Sequence, residues 1–287
     1  MTGMTVAEAL RDAAVRLAAG SDTARLDAEV LMGHVLGCGR SDMVLRHMRD
    51  AAPEGFGALV ERRMRHEPVA YIVGEQEFFG LSLRVTPDTL IPRGDSETIV
   101  EAALSAVPAS GPVPARVLDC GTGTGALLLA VLSARPGARG IGIDRSPGAL
   151  LVAADNAARL GLSDRGAMLL RDWTQAGWAD GLGLFDLVLA NPPYVEVDAN
   201  LAPDVRAFEP AGALFAGPDG LDDYRILLPQ LPGLLTPDGV AVIEIGHTQA
   251  EAVTAIAMEA GMAAQLHLDL AGRPRALALS RQSGGAG

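Results

Sequence analysis

The stretch Val117-Leu118-Asp119-Cys120-Gly121-Thr122-Gly123-Thr124-Gly125 decides the fold class, because a short apolar run passes through an acid into three glycines at alternate positions. A run of this length reads as a buried strand, and the apolar residues that begin at Ala126 read as a helix. Glycine accepts positive φ and lets backbone N–H groups approach a ligand closely where a helix starts. Strand, glycine loop and helix in this order make the first unit of a nucleotide-binding sheet. Gly121, Gly123 and Ala126 also satisfy the G-x-G-x-x-G/A dinucleotide pattern, so the loop alone leaves its ligand open.

Downstream of Ala115 the chain alternates strands with helices. Strands are predicted near 116–120, 140–144, 167–171, 185–190, 239–245, 263–269 and 275–280. Such alternation implies an α/β fold with a mostly parallel sheet covered by helices on both faces. The last two strands are separated only by Ala271-Gly272-Arg273-Pro274 and read as an antiparallel pair at the sheet edge.

Upstream, helical spacing recurs in Val6, Leu10, Ala13 and Leu17, then in Ala28, Leu31, Met32 and Val35, and again in Phe56, Leu59, Val60 and Met64. This predicts a small helical bundle, punctuated by Gly20-Ser21-Asp22, Gly37 to Ser41 and Pro53, with Asp42 as an N-cap. Tyr71 to Val73, Phe78-Phe79 and Leu81 to Val85 read as short strands of a joining hairpin. A helix is expected over about Ser96 to Val107, where Asp95 and Ser96 are candidate caps, followed by a linker over Pro108 to Pro114. The expected division is a helical domain at 1–68, hairpin, helix and linker at 69–114, the sheet domain at 115–282 and a disordered tail at 283–287.

Candidate site residues collect at the carboxyl ends of the predicted strands, where open sheets of this kind bind ligands. Asp144, nineteen residues beyond Gly125, ends the strand Gly140-Ile141-Gly142-Ile143 and can accept both hydroxyls of a ribose. NAD and S-adenosylmethionine both carry that ribose, and three features favour the second. Asp119 would repel a pyrophosphate but suits a ligand bearing a sulfonium and an ammonium group. Asp172-Trp173 closes the strand Ala167 to Leu170 and offers an acceptor for the adenine amino group and an aromatic edge for its ring. Asn191-Pro192-Pro193-Tyr194 follows the apolar run Leu187 to Ala190 at the same sheet edge. The predicted cofactor contacts are therefore Asp119, Gly121, Thr122, Gly123, Thr124, Gly125, Asp144, Asp172, Trp173 and Asn191.

The tetrapeptide reads as a grip on a planar NH2 group. Asn191 offers a side-chain carbonyl, and Pro192 offers a backbone carbonyl on a chain of fixed φ with no N–H of its own. Two acceptors hold both hydrogens of one nitrogen, and Tyr194 adds a flat face that stacks on the group carrying it. Glutamine, asparagine, adenine and cytosine all fit such a grip.

Composition narrows the partners. The chain has 287 residues, 49% of them apolar, and a formal net charge of -12 with Arg but no Lys. Non-specific nucleic-acid binding needs Lys and Arg on phosphates, so this balance disfavours a nucleic-acid substrate. The cluster Glu61-Arg62-Arg63-Met64-Arg65-His66 reads as a solvated helix face. Cys38 and Cys120 suggest no disulfide framework, and His34, His47, His66, His247 and His267 show no zinc-ligand spacing, so no metal is expected. Met4 to Ala19 is broken by Glu8, Arg11, Asp12 and Arg16, and no apolar run approaches the roughly eighteen residues of a membrane span. A cytoplasmic monomer is the expectation.

Taken together, these motifs resemble those of the bacterial release-factor glutamine methyltransferase family. The resemblance covers nearly the whole chain. It rests on Leu26-Asp27-Ala28-Glu29-Val30-Leu31, Tyr71-Ile72-Val73-Gly74, Phe78-Phe79-Gly80, and Leu90-Ile91-Pro92-Arg93 with Asp95 and Glu97. It extends through the glycine loop and Asn191 to Tyr194 to Arg206, Phe208-Glu209-Pro210 and Ile243-Glu244-Ile245-Gly246. Gly94, Ser96, Cys120 and Ala207 depart from the usual family pattern.

The resemblance implies a class I, Rossmann-like, S-adenosylmethionine-dependent methyltransferase with a seven-stranded sheet and an N-terminal helical bundle that docks the substrate. Its substrates would be peptide-chain release factors, methylated on the side-chain nitrogen of the glutamine in a Gly-Gly-Gln tip. Asn191, Pro192 and Tyr194 would be catalytic, and Asn191, Pro192, Pro193, Tyr194, Arg93 and Phe79 would meet the substrate. Glu97 would face the ammonium end of the donor. Alternative readings are a glutamine on a ribosomal protein, an adenine N6 in nucleic acid, and a nucleotide-binding module without catalysis.

Overall fold

The glycine loop leaves a strand that stands in the interior of the sheet. The computed structural model describes residues 4–106 and 115–282. The end of the predicted helix at Val107, the linker at 108–114 and the tail at 283–287 lie outside the described residues. In chain order the helices are α1 (Val6–Leu17), α2 (Ala24–Leu36), α3 (Arg40–Asp42), α4 (Phe56–Met64), α5 (Val69–Val73), α6 (Glu97–Ala106), α7 (Ala126–Ala134), α8 (Pro147–Arg159), α9 (Pro203–Phe208), α10 (Asp222–Leu227), α11 (Leu231–Leu234) and α12 (Ala250–Glu259). The strands are β1 (Glu75–Phe78), β2 (Leu81–Arg84), β3 (Arg116–Cys120), β4 (Arg139–Asp144), β5 (Gly166–Leu170), β6 (Phe185–Ala190), β7 (Leu235–Glu244), β8 (Met262–Leu268) and β9 (Pro274–Arg281).

Seven strands form one sheet in the order β5-β4-β3-β6-β7-β9-β8, while β1 and β2 pair as a separate hairpin. The pairs β3 with β4, β3 with β6, β4 with β5 and β6 with β7 are parallel, so their carboxyl ends share one edge. β9 is antiparallel to both β7 and β8 and lies between them, completing the expected edge pair. Val117, Leu118 and Cys120 of β3 and Leu187 to Ala190 of β6 are wholly buried, as strands covered on both faces require. Helix α7 is buried on every side from Ala126 to Leu132. It can lie this close because Gly140 faces it: an added Cβ there would meet Leu128 Cδ1 at 2.4 Å and the Val117 carbonyl oxygen at 3.2 Å.

The chain divides into two compact units, one of residues up to Glu75 with Leu201–Phe208 and the other of Gln76–Asn200 with Glu209 onward. In the first, Val6, Leu10 and Leu17 of α1 pack with Leu31 and Met32 of α2, Val60 of α4 and Ile72 of α5. α1 starts with a capping box: the Thr5 backbone N–H donates to a Glu8 carboxylate oxygen at 2.8 Å and Thr5 Oγ1 accepts from the Glu8 N–H. Arg63, expected on a solvated face, is buried and pairs with Asp27 at 2.8 Å and Asp204 at 3.7 Å.

Three local expectations are corrected. Tyr71 to Val73 is helical, because Pro68 starts the turn and Gly74 ends it at φ 81° while Ile72 fills the core of the first unit; the hairpin begins only at Glu75. Asp42 caps nothing; it ends α3 and its carboxylate pairs with Arg46 at 3.0 Å. Asp95 and Ser96 lie in a short 3-10 turn without a side-chain cap, their side chains being taken by Arg275 and Glu244. Among the described residues no helix is long and apolar enough to cross a membrane.

Candidate active site

A cleft opens at the carboxyl edge of the sheet. Gly121, Thr122, Gly123, Thr124, Asp144, Asp172, Trp173, Asn191 and Pro193 line it. Nine sequence-selected residues from four strand ends thus meet at one place.

The glycine loop is shaped by its neighbours. Gly121 stands at φ 75°, and a Cβ there would meet the Trp173 ring at 3.0 Å, so both backbone freedom and close approach require glycine. The Gly123 N–H donates to Asp144 Oδ2 at 3.0 Å, and the Ser146 N–H to Asp144 Oδ1 at 2.8 Å. These bonds hold the Asp144 carboxylate at the cleft wall, and each oxygen keeps a lone pair for a further donor. Trp173 Nε1 donates to Asp223 Oδ1 at 3.2 Å, and its carbonyl accepts from Gln230 at 3.2 Å, which sets the ring against the loop. Asn156, fully buried, accepts from the Arg84 N–H at 2.7 Å and donates to the carbonyls of Arg84 and Thr124, tying the loop to the β1–β2 hairpin.

Asp119 lies behind the loop, off the cleft wall. Its Oδ2 accepts from the Thr122 hydroxyl at 2.6 Å, while its buried Oδ1 has no partner among the described residues. Burial pushes its pKa up to about 7, against the hydrogen bond from the Thr122 hydroxyl and the approach of the Leu128 backbone N–H at the start of α7, and the nearby Asp144 carboxylate adds a smaller upward push. A second carboxyl close behind Asp144 adds negative potential at the cleft wall, and this fits the sulfonium and ammonium groups of S-adenosylmethionine.

The amide grip divides in two. Asn191 lines the cleft, and no described group hydrogen-bonds its side chain. Pro192 is buried and Tyr194 mostly so; neither lines the cleft. The Tyr194 hydroxyl donates to Glu244 Oε1 at 3.1 Å, and Gln249 Nε2 donates to the Tyr194 carbonyl at 3.1 Å. Burial, with Glu244 close by, pushes the Tyr194 hydroxyl far above its ordinary pKa, so the phenol stays protonated. The Ser96 hydroxyl also donates to Glu244, at 2.5 Å, and burial raises the Glu244 pKa. Glu244 thereby joins the turn before α6, the end of β7 and the tetrapeptide.

The other predicted substrate contacts lie away from the cleft wall. Arg93 pairs with the buried Glu209, which also accepts the Ile91 N–H at 3.2 Å. Glu209 thus clamps the Ile91-Pro92-Arg93 turn, leaving Leu90 and Pro92 on the wall. Phe78 is core, and Phe79, at φ 51°, packs on the same core and donates its N–H to Glu97 at 3.0 Å. Glu97 therefore holds a backbone turn and does not face the cleft. Arg206 is exposed, and it falls in the first unit.

Sequence reasoning missed several wall residues, among them Asp88, Thr89, Arg145 and Gly212. Arg145 donates to the Gly212 carbonyl at 2.6 Å, bridging two parts of the wall that lie 67 positions apart. A single sequence carries no signal for such a pairing.

This sheet, with its glycine loop and the Asp144 carboxylate at a strand end on the cleft wall, defines a class I methyltransferase domain, joined here to a separate helical unit. Two family models match: the PrmC N-terminal domain over residues 8–74 and a methyltransferase domain over residues 114–268. The chain is 43% identical over 273 residues to the release factor glutamine methyltransferase of Rhodospirillum rubrum, covering 93% of this chain and 82% of that relative. It is 44% identical over 280 residues to the protein of the same name from Cereibacter sphaeroides, covering 95% and 97%. A third, from Moorella thermoacetica, is 42% identical over 280 residues with the same coverage. The chain belongs to the release factor glutamine methyltransferase family.

Proposed function

We propose that this chain methylates the side-chain nitrogen of the glutamine in the Gly-Gly-Gln tip of peptide-chain release factors, with S-adenosylmethionine as donor. Family membership supports the reaction and the substrate class, and the cleft supports the donor. Bound there, the donor supplies an electrophilic methyl group on a sulfonium. Asp144 would hold its ribose, Asp172 and Trp173 its adenine, the backbone of Gly121 to Gly125 its amino-acid end, and the Asp119–Asp144 pair its positive charge.

The observation that carries the reading is the unpartnered Asn191 amide on the cleft wall. An amide nitrogen is a weak nucleophile because its lone pair is delocalised into the carbonyl, so positioning supplies most of the catalysis. The Asn191 side-chain oxygen on the wall accepts one hydrogen of the glutamine NH2 and aims its nitrogen, and the carbonyl of the adjoining Pro192, set just behind the wall, takes the other once the side chain is seated. Tyr194, held by Glu244 and Gln249, fixes the tetrapeptide that presents these acceptors. The methylated nitrogen is acidic, so water takes its proton and no side-chain base is needed.

The test incubates the full chain with isotopically labelled S-adenosylmethionine and, separately, a release factor, the same factor with its Gly-Gly-Gln glutamine replaced, a ribosomal protein and DNA. Mass spectrometry then locates the label. Label on that glutamine alone is expected. Label on the ribosomal protein or DNA, with the release factor unmodified, would overturn the substrate.

A further inference from the structure

In the helical unit, α2 ends at Gly37 in left-handed backbone (φ 66°), and the turn brings Cys38 back beside the segment that follows α3. Cys38 Sγ, an Asp42 carboxylate oxygen and a His47 ring nitrogen lie within 4.8 Å of one another, each on a half-buried residue. His47 Nδ1 lies 2.8 Å from Asp50 Oδ2. A carboxylate there places the ring proton on Nδ1 and leaves the Nε2 lone pair facing inward. Nε2 points toward Asp42 Oδ2 at 4.0 Å, while Arg46 holds the other Asp42 oxygen at 3.0 Å. In this tautomer three lone-pair donors of different kinds lie within 4.8 Å of one another, an arrangement that a cation between them stabilises.

We propose that Cys38, Asp42 and His47 form a site for a zinc-class divalent cation, with Asp50 orienting the His47 ring. Thiolate, imidazole and carboxylate together select zinc or cobalt over magnesium or calcium, which take oxygen ligands. Bond lengths of about 2.3 Å to sulfur and about 2.0–2.2 Å to nitrogen and oxygen require the donors to close by roughly an ångström. Half-buried side chains, one on the turn after α2 and two on the short helical segment that follows, make that adjustment by rotating about χ angles. Water takes the fourth position, as at other sites with three protein ligands. The carboxylate behind the histidine follows the usual arrangement at metal-bound imidazoles. The spacing escapes a search for paired histidines because one ligand of each kind comes from a single ten-residue stretch. The segment is tied to α1 through the Val6 N–H to the Asp50 carbonyl at 3.0 Å and the Ala7 N–H to the Met48 carbonyl at 3.1 Å, so an ion here also stabilises the helical unit.

The test titrates cobalt(II), then zinc(II), into the chelator-treated full chain and follows visible and near-ultraviolet absorption and melting temperature. One equivalent of cobalt is expected, with a thiolate-to-metal charge-transfer band, displacement by zinc and a raised melting temperature. Cys38→Ser should remove the band and weaken zinc binding at least tenfold. Asp50→Asn should keep the band and weaken zinc binding roughly tenfold. Absence of the band, or zinc affinity unchanged in Cys38→Ser and His47→Ala, would overturn the site and leave His47 as a bridge between two carboxylates. Circular dichroism of each variant checks that the helical unit is folded.

Discussion

The wall of the cleft and the layer directly behind it are built on opposite rules. On the wall, the Asn191 amide is without a partner among the described residues. Behind it, Glu244 takes the hydroxyls of Ser96 and Tyr194, Glu209 takes the Ile91 N–H and Arg93, and Asn156 uses both ends of its amide. A buried polar group left unmade costs more than the bond it replaces, so the groups behind the wall are paired, while the half-exposed Asn191 amide stays available to a ligand. The contrast separates the residue proposed to act on a ligand from residues that hold the wall in place.

The largest effect should fall on the wall. Asn191→Ala is expected to lower turnover by roughly a thousandfold, the scale for losing one positioned polar contact to a reacting group, with donor affinity within a fewfold. Steady-state kinetics and calorimetric titration check both halves, and near-normal turnover would break the contrast.

Removal of a group from the backing layer should act through stability. Glu244→Ala leaves the buried Ser96 and Tyr194 hydroxyls unpaired and is expected to cost about 2–4 kcal/mol, read as a lower melting temperature together with reduced turnover. Tyr194→Phe removes one hydroxyl and should cost about 1 kcal/mol. A Glu244→Ala protein of unchanged melting temperature would show that this layer is not a support.

A smaller effect is expected at the loop. Gly121→Ala places a Cβ 3.0 Å from the Trp173 ring on backbone at φ 75°, so donor affinity should fall about tenfold, measured by titration. The smallest concerns pH. Burial holds the Asp119 pKa up to about 7, above the ~3.9 of an unfolded chain. Its contribution to stability is therefore full below about pH 4 and is lost as pH rises through about 7. Asp119→Asn should flatten the ligand-free melting temperature across that window by a few degrees, while a positively charged ligand favours the ionised form of the native residue.

Most of the fold was legible because its signals are local. The runs of β3 and β6, the glycine loop and the start of α7 at Ala126 all lie where periodicity and glycine spacing put them. The expected hairpin strand at Tyr71 to Val73 failed because β-branched propensity yielded to packing: Ile72 enters a helical core and Gly74 closes the turn. At the site, Asp144, Trp173 and Asn191 were legible from their positions at strand ends. The roles of Glu209 and Glu244 were not, since each is defined by partners more than 100 positions away, Ile91, Arg93 and Ser96. Arg93, Phe79 and Glu97 have the residue types of a binding surface, yet protein groups engage all three.

The most direct measurement is a crystal structure of the chain with S-adenosylhomocysteine and a peptide carrying the Gly-Gly-Gln sequence. The Asn191 side-chain oxygen and the Pro192 carbonyl oxygen should each lie within about 3.2 Å of the glutamine nitrogen. A glutamine seated in the cleft with both of these oxygens beyond hydrogen-bonding reach would contradict the account.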